Sequence, residues 1–216
     1  MTADERIEHA RRLYERAVFG GEAGAASEAD RVLDAVEADL ALARGRVLHA
    51  RFLDEHEEDP LELQLFERAA QLYEQLDDVR GLAEALFWVG TYHQVVQGSS
   101  DAALPSLERS LELATQVGDR LTMSYALRHL GIAEHTAGRM DTARERLHES
   151  TRLRREIGFQ PGVAANLIGL AYVAAGDGRR EEGLELLAEA GTLAHDCAAH
   201  RIASQVDEAR ARLQSA

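Results

Sequence analysis

The chain of 216 residues carries 38 acidic against 24 basic side chains, for a net charge of −14, and every one of the 24 basic residues is arginine. The acidic balance speaks against non-specific binding to nucleic acid or to an anionic membrane, and the lack of lysine excludes Schiff-base chemistry and a Walker lysine. With 45% hydrophobic residues, 5% aromatics and three prolines, the composition fits a folded helical protein rather than a disordered chain or a strand-rich sandwich.

In chain order, ERIEHARRLYERAVF (5–19) reads as one amphipathic helix closed by Gly20-Gly21. Its charge from the fourth residue onward is unlike a signal peptide. A long helix is predicted from about Ser27, taken as N-cap with Asp30 three residues on, to about Glu58 before Pro60. LFERAAQLYEQLDD (65–78) then matches SLERSLELATQVGD (106–119) at a shift of 41. From there glycines fall at Gly98, Gly118, Gly138, Gly158 and Gly178, each after an apolar-periodic stretch, where helices stop. A stop every 20 residues describes helical hairpins with a period of 40. The second helices agree position by position: Leu107, Leu147 and Leu187; Ser110, Ser150 and Ala190; Val117, Ile157 and Cys197. The first helices align as ALFWVG (85–90), ALRHLG (126–131) and NLIGLA (166–171). HRIASQVDEARARLQ (200–214), apolar on one stripe only, reads as a terminal cap.

These residues resemble the tetratricopeptide repeat in its longer variant of about forty residues. Val89-Gly90 and Leu130-Gly131 fit the Leu-Gly pair of that repeat's first helix, and Leu170-Ala171 departs from it by one methyl group. Ala103, Ser110, Ala143, Ser150, Gly183 and Ala190 supply the small residues of its second helix. The resemblance covers roughly residues 40–200. The style is similar to repeat domains of large actinobacterial regulators, although no DNA-binding or nucleotide-binding segment accompanies the repeats. It implies an all-α fold, a right-handed solenoid of antiparallel helix pairs forming a single domain. Its expected units are an N-terminal cap (1–26), a divergent first repeat (27–79), repeats 80–119, 120–160 and 161–199, and a C-terminal cap (200–216).

Signatures of chemistry are missing. There is no HExxH, CxxC pair, Walker loop, GxGxxG or GxSxG. The lone cysteine, Cys197, allows no internal disulfide, fits a cytoplasmic location, and by its aligned partners Val117 and Ile157 belongs to an apolar seam. The nine histidines occupy different repeat positions, so neither a metal site nor a cofactor is expected. No apolar run is long enough to span a bilayer. Arg139, Arg144, Arg146, Arg152, Arg154 and Arg155 make one repeat locally basic, and are expected to face outward and pair with acids of adjacent helices.

The concave face of such a solenoid is built by first helices, along a stripe at i, i+3, i+7 and i+10. That stripe takes Glu84, Phe87, Thr91 and Gln94 from one repeat, Tyr125, Arg128 and His135 from the next, and Tyr172 from the third. The long early helix adds Arg44 and Arg51, with Trp88, His93 and His129 at the margin. Arginines beside aromatic rings suit a carboxylate or phosphate on an apolar body. The expected function is therefore a non-enzymatic interaction module binding a partner protein segment in this groove. Two alternatives stand beside it: a sensor of a small anionic ligand, and an enzyme using His93 or His129 beside Glu84.

Overall fold

The evenly spaced glycines do end helices. Gly98, Gly118, Gly138, Gly158 and Gly178 adopt φ between 66° and 78° in the computed structural model, which describes residues 2–215. That left-handed backbone costs glycine nothing and lets the chain reverse within two residues. The same turn is made without glycine at Asp77 (φ 57°) and Ala198 (φ 54°), so the series extends one step further at each end than the glycines reveal.

Between these turns run ten α-helices, with no strand among the described residues: α1 (Ala3–Gly20), α2 (Ala25–Glu55), α3 (Leu61–Gln75), α4 (Val79–Thr91), α5 (Ser100–Gln116), α6 (Arg120–Thr136), α7 (Met140–Glu156), α8 (Gln160–Gly176), α9 (Arg180–Asp196) and α10 (His200–Ser215). Asp78 and Asp119 cap α4 and α6, each accepting from the backbone N–H three residues on. α2 begins earlier than its sequence suggests. Its N-cap is Gly24 (φ 87°) with no side-chain cap bond, and Ser27 lies inside the helix.

Each helix packs chiefly on its chain neighbours, the arrangement of an α-solenoid. The small residues set how closely the pairs cross. A Cβ built on Gly90 would lie 2.6 Å from Leu107 and 3.2 Å from the Ala103 carbonyl oxygen, so only glycine fits there. At the aligned crossings Ser110 donates to the Ala83 carbonyl (2.7 Å) and Ser150 to that of Ser124 (2.5 Å), tying second helix to first. The last core layer joins α8, α9 and α10 through Ala171, Leu187, Ala190, Val206, Ala209 and Leu213. α10 thus covers the apolar face that a following repeat would bury.

One irregularity matters for the site. From cap to cap, α4 and its extension span one residue more than α6 or α8 do. The extra residue is absorbed in a π-turn over Tyr92–Val96, with Gln97 N–H bonding the Tyr92 carbonyl at 3.2 Å.

Candidate functional site

The even-numbered helices line the concave side and border a cavity of about 560 Å³. α2 contributes His49 and Leu53; α4 and its π-turn contribute Phe87, Trp88, Thr91, Gln94 and Val95; α6 gives Tyr125, Arg128, His129 and Ile132. The far wall is Arg154 of α7, Phe159 before α8, and Pro161, Gly162 and Ala165 on it. Arg201, Ile202 and Gln205 of α10 border the same hollow. Arg201 donates to the Leu53 carbonyl (2.9 Å) and pairs with Asp54, joining residues 147 positions apart.

At the floor lie two guanidinium groups without an acid. Arg128 donates from Nη1 to the Ala165 carbonyl (2.7 Å) and to Asn166 Oδ1 (3.2 Å). Arg154, 1% exposed, donates to the Gly162 carbonyl (2.7 Å), to the same Asn166 Oδ1 (2.9 Å) and to Ser124 Oγ (3.3 Å). Asn166 is itself buried and held by Ser150 Oγ at 2.7 Å. All these acceptors are neutral, and each arginine keeps Nη2 free of any bond within the described residues. Burial pushes the Arg128 guanidinium down to about 10, and burial, with repulsion from Arg128, pushes Arg154 down to about 9. Both remain cationic at neutral pH.

Aromatic rings hold Arg154 in place. The Arg154 guanidinium lies 5.2 Å from the Tyr125 ring and 5.6 Å from that of Phe159. Tyr125 stacks on Phe87 (5.1 Å), and Phe87 meets Trp88 edge-on at 5.1 Å. Two further polar groups bordering the cavity lack partners: Trp88 Nε1–H and the hydroxyl of Thr91, a residue 2% exposed. His129 bonds Gln94 Oε1 through Nδ1 (2.6 Å), and burial first, then the two arginines, drive its pKa down to about 3, so it is neutral. The residue added by the π-turn shifts the following side chains round the helix, and Gln94 and Val95 meet the cavity from it.

Of the residues expected in the groove, the structure brings together Phe87, Trp88, Thr91, Gln94, Tyr125, Arg128 and His129. It does not bring the other six. Glu84 pairs with Arg46, His93 bonds Gln97 at 2.8 Å, and Tyr172 lies under Arg212 at 5.9 Å. His135 is outside the cavity, while Arg44 and Arg51 are exposed on the opposite side of α2 from His49. The stripe on α2 runs instead through His49, whose Nδ1 is 2.9 Å from Glu62 Oε1 in a buried pair. Arg154 faces inward, contrary to expectation. Of its basic neighbours, Arg139, Arg144 and Arg155 pair with acids outside their own helix (Glu134, Asp177 and Glu189), whereas Arg152 pairs within its own helix with Glu149 and Glu156, and Arg146 has no acid partner among the described residues. Arg154 sits in the last turn of a second helix, where outward and inward positions differ by one residue, and its inward turn follows from Gly162. A Cβ there would lie 2.8 Å from the Arg154 stem.

A hollow of about 600 Å³ lies behind Tyr125 and Phe159. Its arginines Arg80 and Arg120 already face Asp119 and Glu156 at 3.4 and 3.8 Å, so it offers no spare charge. Among the described residues no group of three or more His, Cys, Asp or Glu could hold a metal ion, and no helix is long and apolar enough to cross a membrane.

The architecture defines a helical-repeat solenoid with an open concave hollow. Residues 82–156 match the model of the tetratricopeptide repeat, so this stretch of the chain is similar to that repeat. No curated protein matches the chain. Among solved structures it is similar to the crystal structure of BtubC (BKLC) from P. vanneervenii, at 17% identity over 90% of this chain and 89% of that one, with a TM-score of 0.47.

Proposed function

We propose that this protein is a non-enzymatic binding module whose concave pocket captures a compact ligand bearing a carboxylate or phosphate on an apolar body. The observation that carries this reading is the pair Arg128, half-buried, and Arg154, buried, two cations that share one neutral acceptor and have no carboxylate. Burying like charges together costs stability unless a counter-charge arrives. An anion bridging the two free Nη2 groups supplies it through charge-assisted bonds. The rings of Phe87 and Trp88 would receive the apolar body, with the free Trp88 N–H and Thr91 hydroxyl as donors at its edge.

Catalysis has less support. Of the two histidines bordering the cavity, His129 is held neutral with a pKa of about 3 and bonded to an amide, which suits it poorly to general-base work near neutrality, while His49 has its Nδ1 engaged by the buried Glu62. A partner protein segment is the second reading, since tetratricopeptide repeats generally mediate protein–protein interaction. Such a segment would enter as an acidic side chain or terminus. The Arg201 bridge from α10 to Leu53 and Asp54 borders one side of the hollow, and the two arginines lie at its floor, which favours a compact ligand over an extended one.

Calorimetric titration with phenyl phosphate, and with phenol as the uncharged control, tests this. Phenyl phosphate should bind and raise the melting temperature, and phenol should do neither. Arg128→Gln, which keeps a donor for the Ala165 carbonyl, should weaken binding at least about tenfold with the helical content unchanged. Equal binding of phenol and phenyl phosphate, or full binding by the variant, would remove the anion site from the account.

A further inference from the structure

We propose that the outer face of α2 is an interface for a second copy of this chain, paired antiparallel about a two-fold axis near Leu40. This rests on features outside the pocket. Of the twelve exposed large apolar residues among those described, eight lie on α1 and α2, so apolar surface is concentrated at one end of the solenoid. On α2 three of them recur every seven residues: Leu33 (43% exposed), Leu40 (54%) and Val47 (54%). A seven-residue spacing keeps side chains on nearly one line of a helix, drifting only about 20° per repeat. The stripe therefore forms one straight ridge about 21 Å long. Such a ridge is the seam by which two helices pack side by side.

The occupant is chosen by charge. Three positions before each ridge residue, and four after the last, stand Asp30, Glu37, Arg44 and Arg51, all exposed and also spaced by seven. Read along the helix they run acid, acid, base, base. Turned antiparallel about Leu40, a second α2 sets Leu33 against Val47 and Leu40 against itself. The same register sets Asp30 against Arg51 and Glu37 against Arg44, each centred within one residue of the apolar pairs. A parallel pairing sets acid on acid and base on base, which repel. No unrelated surface need match this order, whereas a copy of the chain matches it by symmetry, as an isologous interface requires. Asp30, Arg44 and Arg51 have no ion-pair partner among the described residues, and Glu37 has only Arg68 at 2.7 Å, a pair exposed on both sides. An exposed pair of that kind is weak and exchangeable.

Sedimentation of the full chain near physiological ionic strength, where the net charge of −14 is screened, should show a dimer that dissociates on dilution. Leu40→Glu should abolish it with circular dichroism unchanged, and with melting unchanged at concentrations where the parent chain is monomeric. Orientation is read by cross-linking with a short bis-maleimide in a Cys197→Ser background. A mixture of Leu33→Cys and Val47→Cys chains should cross-link, and Leu33→Cys alone should not. A chain that stays monomeric at high concentration, a dimer indifferent to Leu40→Glu, or self-cross-linking of Leu33→Cys each overturns the proposal.

Discussion

The repeats from α4 to α9 and the long helix α2 solve the same packing problem in different ways. The second helices α5, α7 and α9 each have one buried face, repeated at a fixed interval: Leu107, Leu147 and Leu187 are each at most 1% exposed. α2 has two. Its first turns bury Ala25 and Ala29 in the cluster with Ala10 and Leu13 of α1, while later turns bury Ala38, Ala41, Leu42, Gly45 and His49. Ala25 and Gly45 stand twenty residues apart, about five and a half turns, so these faces are half a turn out of phase. A helix that serves two neighbours on opposite sides has no single apolar stripe, and it leaves Leu33, Leu40 and Val47 in solvent. The lesson is that repetition fixes register, and a helix without copies must be located by its neighbours.

The largest effect that can break this comparison comes from the cap. Deleting the chain from His200 onward removes Val206, Ala209 and Leu213 from the last core layer and exposes Leu187 and Ala190. Each large apolar side chain returned to water costs about 1.5–3 kcal/mol. The truncated protein should melt far lower or aggregate, and unchanged melting would show that α10 is no cap.

Next come matched truncations in the two regions. Leu147→Ala, in the core between α6, α7 and α8, should cost about 2–5 kcal/mol in denaturant unfolding. Leu40→Ala on α2, measured at concentrations where the chain is monomeric, should stay within about 0.5 kcal/mol of the parent. Equal costs would mean that α2 packs in solution as the repeats do.

A smaller effect follows from pH. His129 is neutral in the folded protein down to about pH 3, mainly through burial, whereas in the unfolded chain it gains its proton near the ordinary value of about 6.5. The unfolded state thus binds more protons between those values. The stability present above pH 6.5 is lost as pH falls, by about 2 kcal/mol from this group at pH 5. His129→Gln, able to keep a bond to Gln94, should flatten that part of the stability profile. A profile with unaltered slope would place the proton uptake elsewhere.

The smallest expected effect lies at a turn. Ala198 holds the left-handed conformation that glycine takes at five equivalent turns. Ala198→Gly should raise stability by up to about 1 kcal/mol, and a lower melting temperature would contradict the strain assigned to this residue.

Much of the solenoid was legible because its signals recur. Three aligned first helices placed Phe87, Tyr125 and Arg128 on the inner face, and one cap position repeated from Asp78 to Asp119. What escaped has physical reasons. The π-turn at Tyr92–Val96 changes register by one residue and leaves no mark in hydrophobic periodicity, so the stripe extends to His93, which does not line the groove; His135 stands in the last turn of α6, outside the cavity. Arg154 is drawn inward by the gap at Gly162 and by the acceptors Ser124 and Asn166, all distant from it in the chain or on another helix. The bridge from Arg201 to Leu53 and Asp54 depends on the curvature of the whole stack, which no local pattern encodes. Arg44 and Arg51 were assigned to the groove by extending a repeat stripe onto a helix that does not follow it.

The claim on which the account turns is that Arg128 and Arg154 form one anion site inside the curve of the solenoid. A crystal structure of the protein grown with 4-bromophenyl phosphate, located by the anomalous signal of bromine, measures this most directly. The account predicts phosphate oxygens within about 3.2 Å of nitrogens from both guanidinium groups, with the bromophenyl ring against Phe87 and Trp88. A phosphate bound instead at the exposed Arg44 and Arg51, or an unchanged pocket with the two arginines turned away from each other, would contradict it.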